Sequence, residues 1–167
     1  MSDNYSQIYP GNIIHPTAII YPAVKMGKGN IIGAHCIIGD APESVKYFDK
    51  ENFGVLIGDG CRFTKQVTID GGTESPTTIG NNVLMLKNAH VGHDSIIGDG
   101  VELRCNAMVG GHVKIGEESK LMLCAVVHPR QTIPDSVTIG ACCFVSKKTI
   151  LESGNTYVGI PAKKLVK

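Results

Sequence analysis

Four of the six histidines in this 167-residue chain fall between residues 90 and 128: His90, His93, His112 and His128. Two of them sit in the stretch Asn88-Ala-His-Val-Gly-His-Asp94, where a carboxylate follows the second histidine directly. Imidazole changes protonation near neutrality and can take a proton from a hydroxyl or an amine. A neighbouring carboxylate can fix its tautomer and stabilise the imidazolium that forms. These residue types at this spacing make His93 a candidate catalytic base with Asp94 as its orienting partner; taken alone, the stretch also fits a metal pair or a polar turn.

The surrounding composition removes several function classes. A formal net charge of +1 leaves no electrostatic footprint for nucleic acid or an acidic membrane surface. No apolar run approaches the ~20 residues of a membrane span, and Met1-Ser-Asp-Asn-Tyr5 does not read as a signal peptide. The expectation is a cytoplasmic protein with no membrane insertion and no nucleic-acid partner. The six cysteines (36, 61, 105, 124, 142, 143) form no CxxC and no zinc-finger spacing. They are expected to be small apolar fillers rather than disulfides or metal ligands.

What must position the histidines is a repeat. Apolar residues, nearly all aliphatic, recur six apart at Ile14, Ile20, Met26, Ile32 and Ile38, then at Ile57, Phe63 and Ile69. The series continues unbroken from Ile79 through Met85, Val91, Ile97, Leu103, Val109, Ile115, Leu121, Val127, Ile133, Ile139, Val145 and Leu151 to Tyr157. The next residue is often Gly, and the fifth is mostly small or β-branched. A six-residue period is neither helical nor a two-residue alternation. It fits short strands, each followed by a turn, with one aliphatic side chain per strand pointing inward.

The pattern resembles that of hexapeptide-repeat proteins, and the resemblance implies an all-β, left-handed parallel β-helix of triangular coils. The left hand comes from the resemblance, since crossovers between parallel strands are normally right-handed. On such coils the hexads at 91, 109, 127 and 145 share one face, the histidine face, and counting back adds 69, 38 and 20. His93, His112 and His128 then span roughly 10 Å along it, at ~4.8 Å per coil. His15 and His35 fall on another face and read as plain surface residues. Insertions at residues 40–56 and 75–78 break the period at one corner, beside the histidine face, where clustered insertions commonly build a binding surface. One domain is expected over 1–167: a loose lead-in (1–12), coils over 13–160, and a short helical tail (161–167) with Pro161 near its start.

Several histidines on one face also allow a zinc site, as in the gamma-class carbonic anhydrases built on this type of fold. Those use a His-x4-His pair and a third histidine from a neighbouring subunit. Here the spacing is His-x2-His and the next histidine lies 19 residues on, a poor match. A non-catalytic β-helix subunit is the other reading that the repeat alone leaves open.

Across about residues 13–145 the chain resembles the acyl-carrier-protein-dependent UDP-N-acetylglucosamine O-acyltransferases. The likeness rests on Ile14-His-Pro-Thr-Ala-Ile19, Ile38-Gly-Asp40, Val45-Lys-Tyr47, Val67-Thr-Ile69 with Gly72-Thr73, Leu84-Met85 and Asn88–Asp94. It continues through Asn106-Ala107, Gly111-His-Val113 and Ala125-Val126 with His128. The resemblance implies His93 as general base, Asp94 as its partner and the Gly111 N–H as oxyanion donor. It implies Lys46, His90, His112 and His128 as substrate-contacting residues, and a homotrimer with each active site in a cleft between neighbouring coils. The departures are Ser44, where the family has Asp, and Pro129, where it has Gln. These 167 residues also hold no counterpart of the family's C-terminal helical domain.

The ending Gly159-Ile-Pro-Ala-Lys163 is similar instead to that of coenzyme A-dependent hexapeptide acetyltransferases, which implies Gly159, Pro161, Ala162 and Lys163 as cofactor-binding residues. The expected reaction is transfer of a short acyl group, acetyl above all, from acetyl-CoA or another acyl-CoA to an amino or hydroxyl group of a nucleotide-linked sugar, without a metal. The alternative donor is acyl carrier protein.

Overall fold

The computed structural model describes residues 8–43, 45–47 and 50–166. Each hexad makes a short strand, usually of two residues, and a turn, and three strands close one triangular coil. The strands stack in parallel into sheets of nine, seven and six. The seven-stranded sheet is the histidine face, made by the strands that carry Ile20, Ile38, Ile69, Val91, Val109, Val127 and Val145. The face count holds across both insertions.

The period follows from what each hexad position does. Position one is the inward aliphatic, and Ile38, Ile69, Val91, Val109 and Val145 are all within 1% of full burial. Position five turns the corner inward and must be small, as at Ala89, Ala107 and Ala125. Position four is left-handed at every regular corner from Gly29 to Cys142; at Asp94 and at His112 φ is 57°. That conformation costs a non-glycine residue roughly 1–2 kcal/mol, which the hydrogen bonds between coils offset. His112 N–H, for instance, donates to the His93 carbonyl at 2.8 Å.

Four expectations change. The tail is not helical: Lys163–Lys164 forms a strand that pairs antiparallel with Thr156–Val158. The chain reverses at Gly159, where φ is 91°, and seven residues are too few to nucleate a helix against that pairing. The lead-in is not loose over residues 8–12. The Tyr9 hydroxyl donates to the Val24 carbonyl at 3.1 Å and the Asn12 amide to the Gly27 carbonyl at 2.8 Å.

The second insertion lies at 71–76 rather than 75–78, because Thr77 and Thr78 already belong to the strand Thr77–Ile79. The first occupies 41–54, between Ile37–Asp40 and Val55–Ile57; Ser44 within it lies outside the described residues. Only half the cysteines are fillers. Cys36, Cys61 and Cys143 hold position five and are buried, while Cys124 and Cys142 hold position four and are exposed, with Cys105 between the two classes. No described helix is long and apolar enough to cross a membrane.

Candidate functional site

His93 occupies position three of its hexad, and the residue stacked below it in the next coil is Gly111. A Cβ on Gly111 would stand 2.7 Å from His93 Nε2 and 2.8 Å from Cε1. The imidazole lies over that glycine because there is no side chain to displace it. The His112 ring also meets it in a T-shaped contact, with centroids 5.1 Å apart and planes at 83°.

His93 Nδ1 is 2.7 Å from Asp94 Oδ2. Asp94 in turn is gripped by the second insertion. Its carboxylate accepts from the Thr73 N–H (3.0 Å to each oxygen), the Thr73 hydroxyl (2.6 Å), and the N–H groups of Glu74 (2.8 Å) and Ser75 (2.9 Å). Its own N–H donates to the Thr77 hydroxyl at 2.9 Å. Burial opposes ionisation of this carboxyl, but the bonds from Thr73, Glu74, His93 and Ser75 outweigh it. Together they hold Asp94 far below the usual carboxylate range. With the anion fixed on Nδ1, the free nitrogen Nε2 is the one aimed over Gly111.

His90 stands at the outward position of the strand His90–Val91, with Nδ1 2.8 Å from the Thr68 hydroxyl and Nε2 3.8 Å from Asp70 Oδ2. Burial, with His93 nearby, lowers its pKa against an opposing pull from Glu43. The ring separates two cavities. One, of about 140 Å³, is walled by Asp40, Glu43, Thr68 and Asp70. The other, of about 230 Å³, is a largely apolar groove walled by Met108, Val126, Phe144, His128 and Pro129. Met108, Val126 and Phe144 stack below His90 in strict register, so the groove runs roughly 14 Å along the solenoid axis.

His93, Asp94, Gly111 and His112 thus form one cluster, and His90 and His128 share the groove beside it. His128 Nδ1 faces the Pro129 carbonyl at 2.8 Å. Lys46 is exposed on the 41–54 loop and forms no ion pair with a described residue. The ending lies apart from the cluster, three coils along: Phe144 N–H donates to the Gly159 carbonyl (3.1 Å) and Ala162 N–H to the Phe144 carbonyl (2.8 Å). Pro161, Ala162 and Lys163 wall a cavity of about 450 Å³ with Ser146, Thr149 and Tyr157. The groove therefore leads from the histidines to the tail.

Ligand atoms of His93, Asp94 and His112 lie within 4.8 Å of one another, close enough to invite a metal. The Asp94 oxygens, however, already meet five N–H or O–H groups, and a carboxylate offers about four lone-pair directions. A cation there would face the donors of Thr73, Glu74 and Ser75. The donor set suits an orienting anion and not a ligand.

Sequence reasoning missed the Thr73–Ser75 cradle, Thr68, Glu43 and Asp70. The cradle and Glu43 depend on how the insertions fold back onto the corner, whereas Thr68 and Asp70 lie in the strand Thr68–Asp70, whose register sets Thr68 beside His90.

A family model described as "Bacterial transferase hexapeptide (six repeats)" matches residues 76–111. Among curated proteins the chain is 34% identical over 92 residues to the acyl-[acyl-carrier-protein]–UDP-N-acetylglucosamine O-acyltransferase of Campylobacter lari, covering 53% of this chain and 35% of that protein. It is 41% identical over 78 residues to the enzyme of the same name from Anaeromyxobacter sp., covering 45% and 30%. These matches span about a third of the relatives' length.

Among solved structures, the UDP-N-acetylglucosamine acyltransferase of Bacteroides fragilis superposes with a TM-score of 0.86 at 27% identity, over 93% of this chain and 60% of that one. The Moraxella catarrhalis enzyme gives 0.69 at 27%, over 94% and 73%. The fold is the left-handed parallel β-helix of those acyltransferases.

Proposed function

We propose that this chain is an acyltransferase that moves an acyl group from a thioester to a hydroxyl or amino group of a nucleotide-linked sugar. The observation that carries the reading is the imidazole of His93, fixed by an ionised Asp94 with its free nitrogen over the backbone of Gly111. Nε2 takes the proton of the acceptor as its oxygen or nitrogen attacks the thioester carbonyl. The negative charge that develops on the carbonyl oxygen is met by the Gly111 N–H, which has no acceptor among the described residues. Collapse breaks the C–S bond, and the proton held on His93 passes to the departing thiolate. No covalent enzyme intermediate is required, and the exposed cysteines stand at a different corner.

The groove from His90 to Phe144 suits the acyl end of the donor, and the tail cavity at Pro161–Lys163 suits its far end. His90, His112 and His128 then contact acceptor or thioester, and Lys46 meets a phosphate or sugar hydroxyl. Acetyl-CoA or another short acyl-CoA is the proposed donor, in a cytoplasmic homotrimer. A second reading, transfer from acyl carrier protein to UDP-N-acetylglucosamine, is favoured by the names of the relatives that match the site region.

Incubating the chain with acetyl-CoA, longer acyl-CoAs or acyl carrier protein against a panel of nucleotide sugars separates the two, with thiol release and product mass as readouts. Turnover with a CoA thioester supports the first reading. Turnover with acyl carrier protein alone overturns the donor assignment, and no turnover with either donor overturns acyl transfer.

A further inference from the structure

Two buried aspartates flank the histidines, and their surroundings are opposite. Asp94 is saturated with donors. Asp70 is 6% exposed, yet among the described residues its carboxyl receives only the backbone N–H of Glu43. His90 Nε2, at 3.8 Å, is beyond hydrogen-bond reach. Asp40, on the same cavity wall, is satisfied by the Ala41 N–H at 2.7 Å and by the Tyr21 hydroxyl. Asp70 alone presents an under-used, nearly buried carboxyl to the 140 Å³ cavity beside His90. Burying an ionised carboxyl with so few donors is costly, and a cationic hydrogen-bond donor entering the cavity would offset that cost.

We propose that Asp70 is the acceptor-recognition residue of this site, and that the group it receives is a protonated amine, so that the reaction is N-acylation. This inference rests on the acyl-transfer reading and narrows its acceptor. The charges around the cavity agree. Asp40 and Glu43 share its wall, and no lysine or arginine is among its lining residues. The titratable groups that bear on Asp70 are Glu43 and Asp40, which oppose its ionisation, and His93, which favours it; with burial foremost, they raise its pKa to about 6.

The proton count also agrees. A hydroxyl acceptor gives up one proton, which His93 passes to the thiolate. An ammonium must lose one before its nitrogen can attack and a second as the amide forms. The first passes to solvent, and His93 takes the second and delivers it to the leaving sulfur. One C–N bond forms, one C–S bond breaks, and one net proton is released per turnover.

The test has two independent arms. The first reads the His90 imidazole resonances by NMR at pH 7 while UDP-glucosamine or UDP-glucose is added. The amine is expected to shift them, glucose to leave them unmoved, and Asp70→Asn to abolish the response. Equal responses to the two sugars overturn the inference whether or not the chain turns over.

The second arm compares kcat/KM for nucleotide sugars carrying an amine at C2, C3 or C4 with their hydroxyl counterparts. Asp70→Asn is expected to lose roughly 10- to 150-fold on the amine, chiefly in KM, as for a charge-assisted contact. It should lose little on any hydroxyl acceptor. Preferred turnover of a hydroxyl acceptor, unchanged in Asp70→Asn, overturns the inference while leaving acyl transfer standing. A positive first arm with no turnover of any acceptor overturns acyl transfer instead.

Discussion

Gly111→Ala is the sharpest probe of how this site is built. Gly111 does not adopt a positive φ, so alanine suits its backbone and the substitution adds one methyl group and little else. That methyl would stand 2.7 Å from His93 Nε2, 2.8 Å from Cε1 and 3.0 Å from Cδ2. Reaching an ordinary carbon contact of ~3.5 Å requires the ring to move by roughly 0.8 Å. The ring cannot yield freely, because Nδ1 is bonded to Asp94 at 2.7 Å and His112 stands against its face. A displacement of that size stretches the Nδ1 bond beyond hydrogen-bonding length and moves Nε2 off the acceptor. A misplacement of ~1 Å costs on the order of 10²-fold in rate, whereas overpacking at this edge costs the fold no more than about 1–3 kcal/mol.

The variant keeps its N–H, so the loss reports the position of the base and not a missing oxyanion donor. Initial rates of thiol release at saturating substrates should fall about a hundredfold in kcat, with a cooperative thermal transition retained. A folded Gly111→Ala protein within threefold of wild-type kcat would refute the geometric argument.

Other outcomes follow from the same geometry. Asp94→Asn places an amide where Thr73, Glu74 and Ser75 all donate, so it should lower thiol release by roughly 10²–10⁴-fold. It should also destabilise the chain by roughly 3 kcal/mol through the loss of one or two charge-assisted bonds, measured by denaturant melts. For Asp70 the sign is reversed. Its folded pKa is raised to about 6, so between about pH 4 and 6 the folded state holds more protons than the unfolded one, and stability falls as pH rises through that window. Asp70→Asn should therefore match wild type near pH 4 and exceed it above pH 6, by up to roughly 3 kcal/mol. A difference that is flat with pH counts against the buried carboxyl. Dialysis against a chelator should leave turnover unchanged, whereas excess zinc should inhibit by occupying His93 and His112. Loss of activity on chelation that zinc restores would favour a metal site.

Much of the fold could be read before any coordinates, because the hexad imposes one physical requirement per position. An inward aliphatic such as Val91 or Val109 and a small fifth residue such as Ala107 leave only one side of each strand facing out. Counting by six and by three then places His93 above Gly111. The departures arose where the period carries no information. The tail reads as a helix by its Pro161, but an open edge at Thr156–Val158 captures it as a strand. The insertion boundaries slip because hexads are counted from the inward aliphatic, whereas the strand that carries Ile79 already begins at Thr77. The cradle around Asp94 and the unsaturated Asp70 were illegible for one reason: backbone N–H groups at 73–75, and the shortage of donors at Asp70, exist only once the loops fold back on the corner.

Proton transfer by His93 is the central step of the proposed reaction. The direct measurement is the rate of thiol release from the acyl donor by wild type and by His93→Ala, each shown to be folded by its thermal transition. Replacement of a general base predicts a loss of roughly 10²–10⁴-fold in kcat with the melting temperature nearly unchanged, since the imidazole is partly exposed. Wild-type turnover in His93→Ala would contradict the mechanism outright.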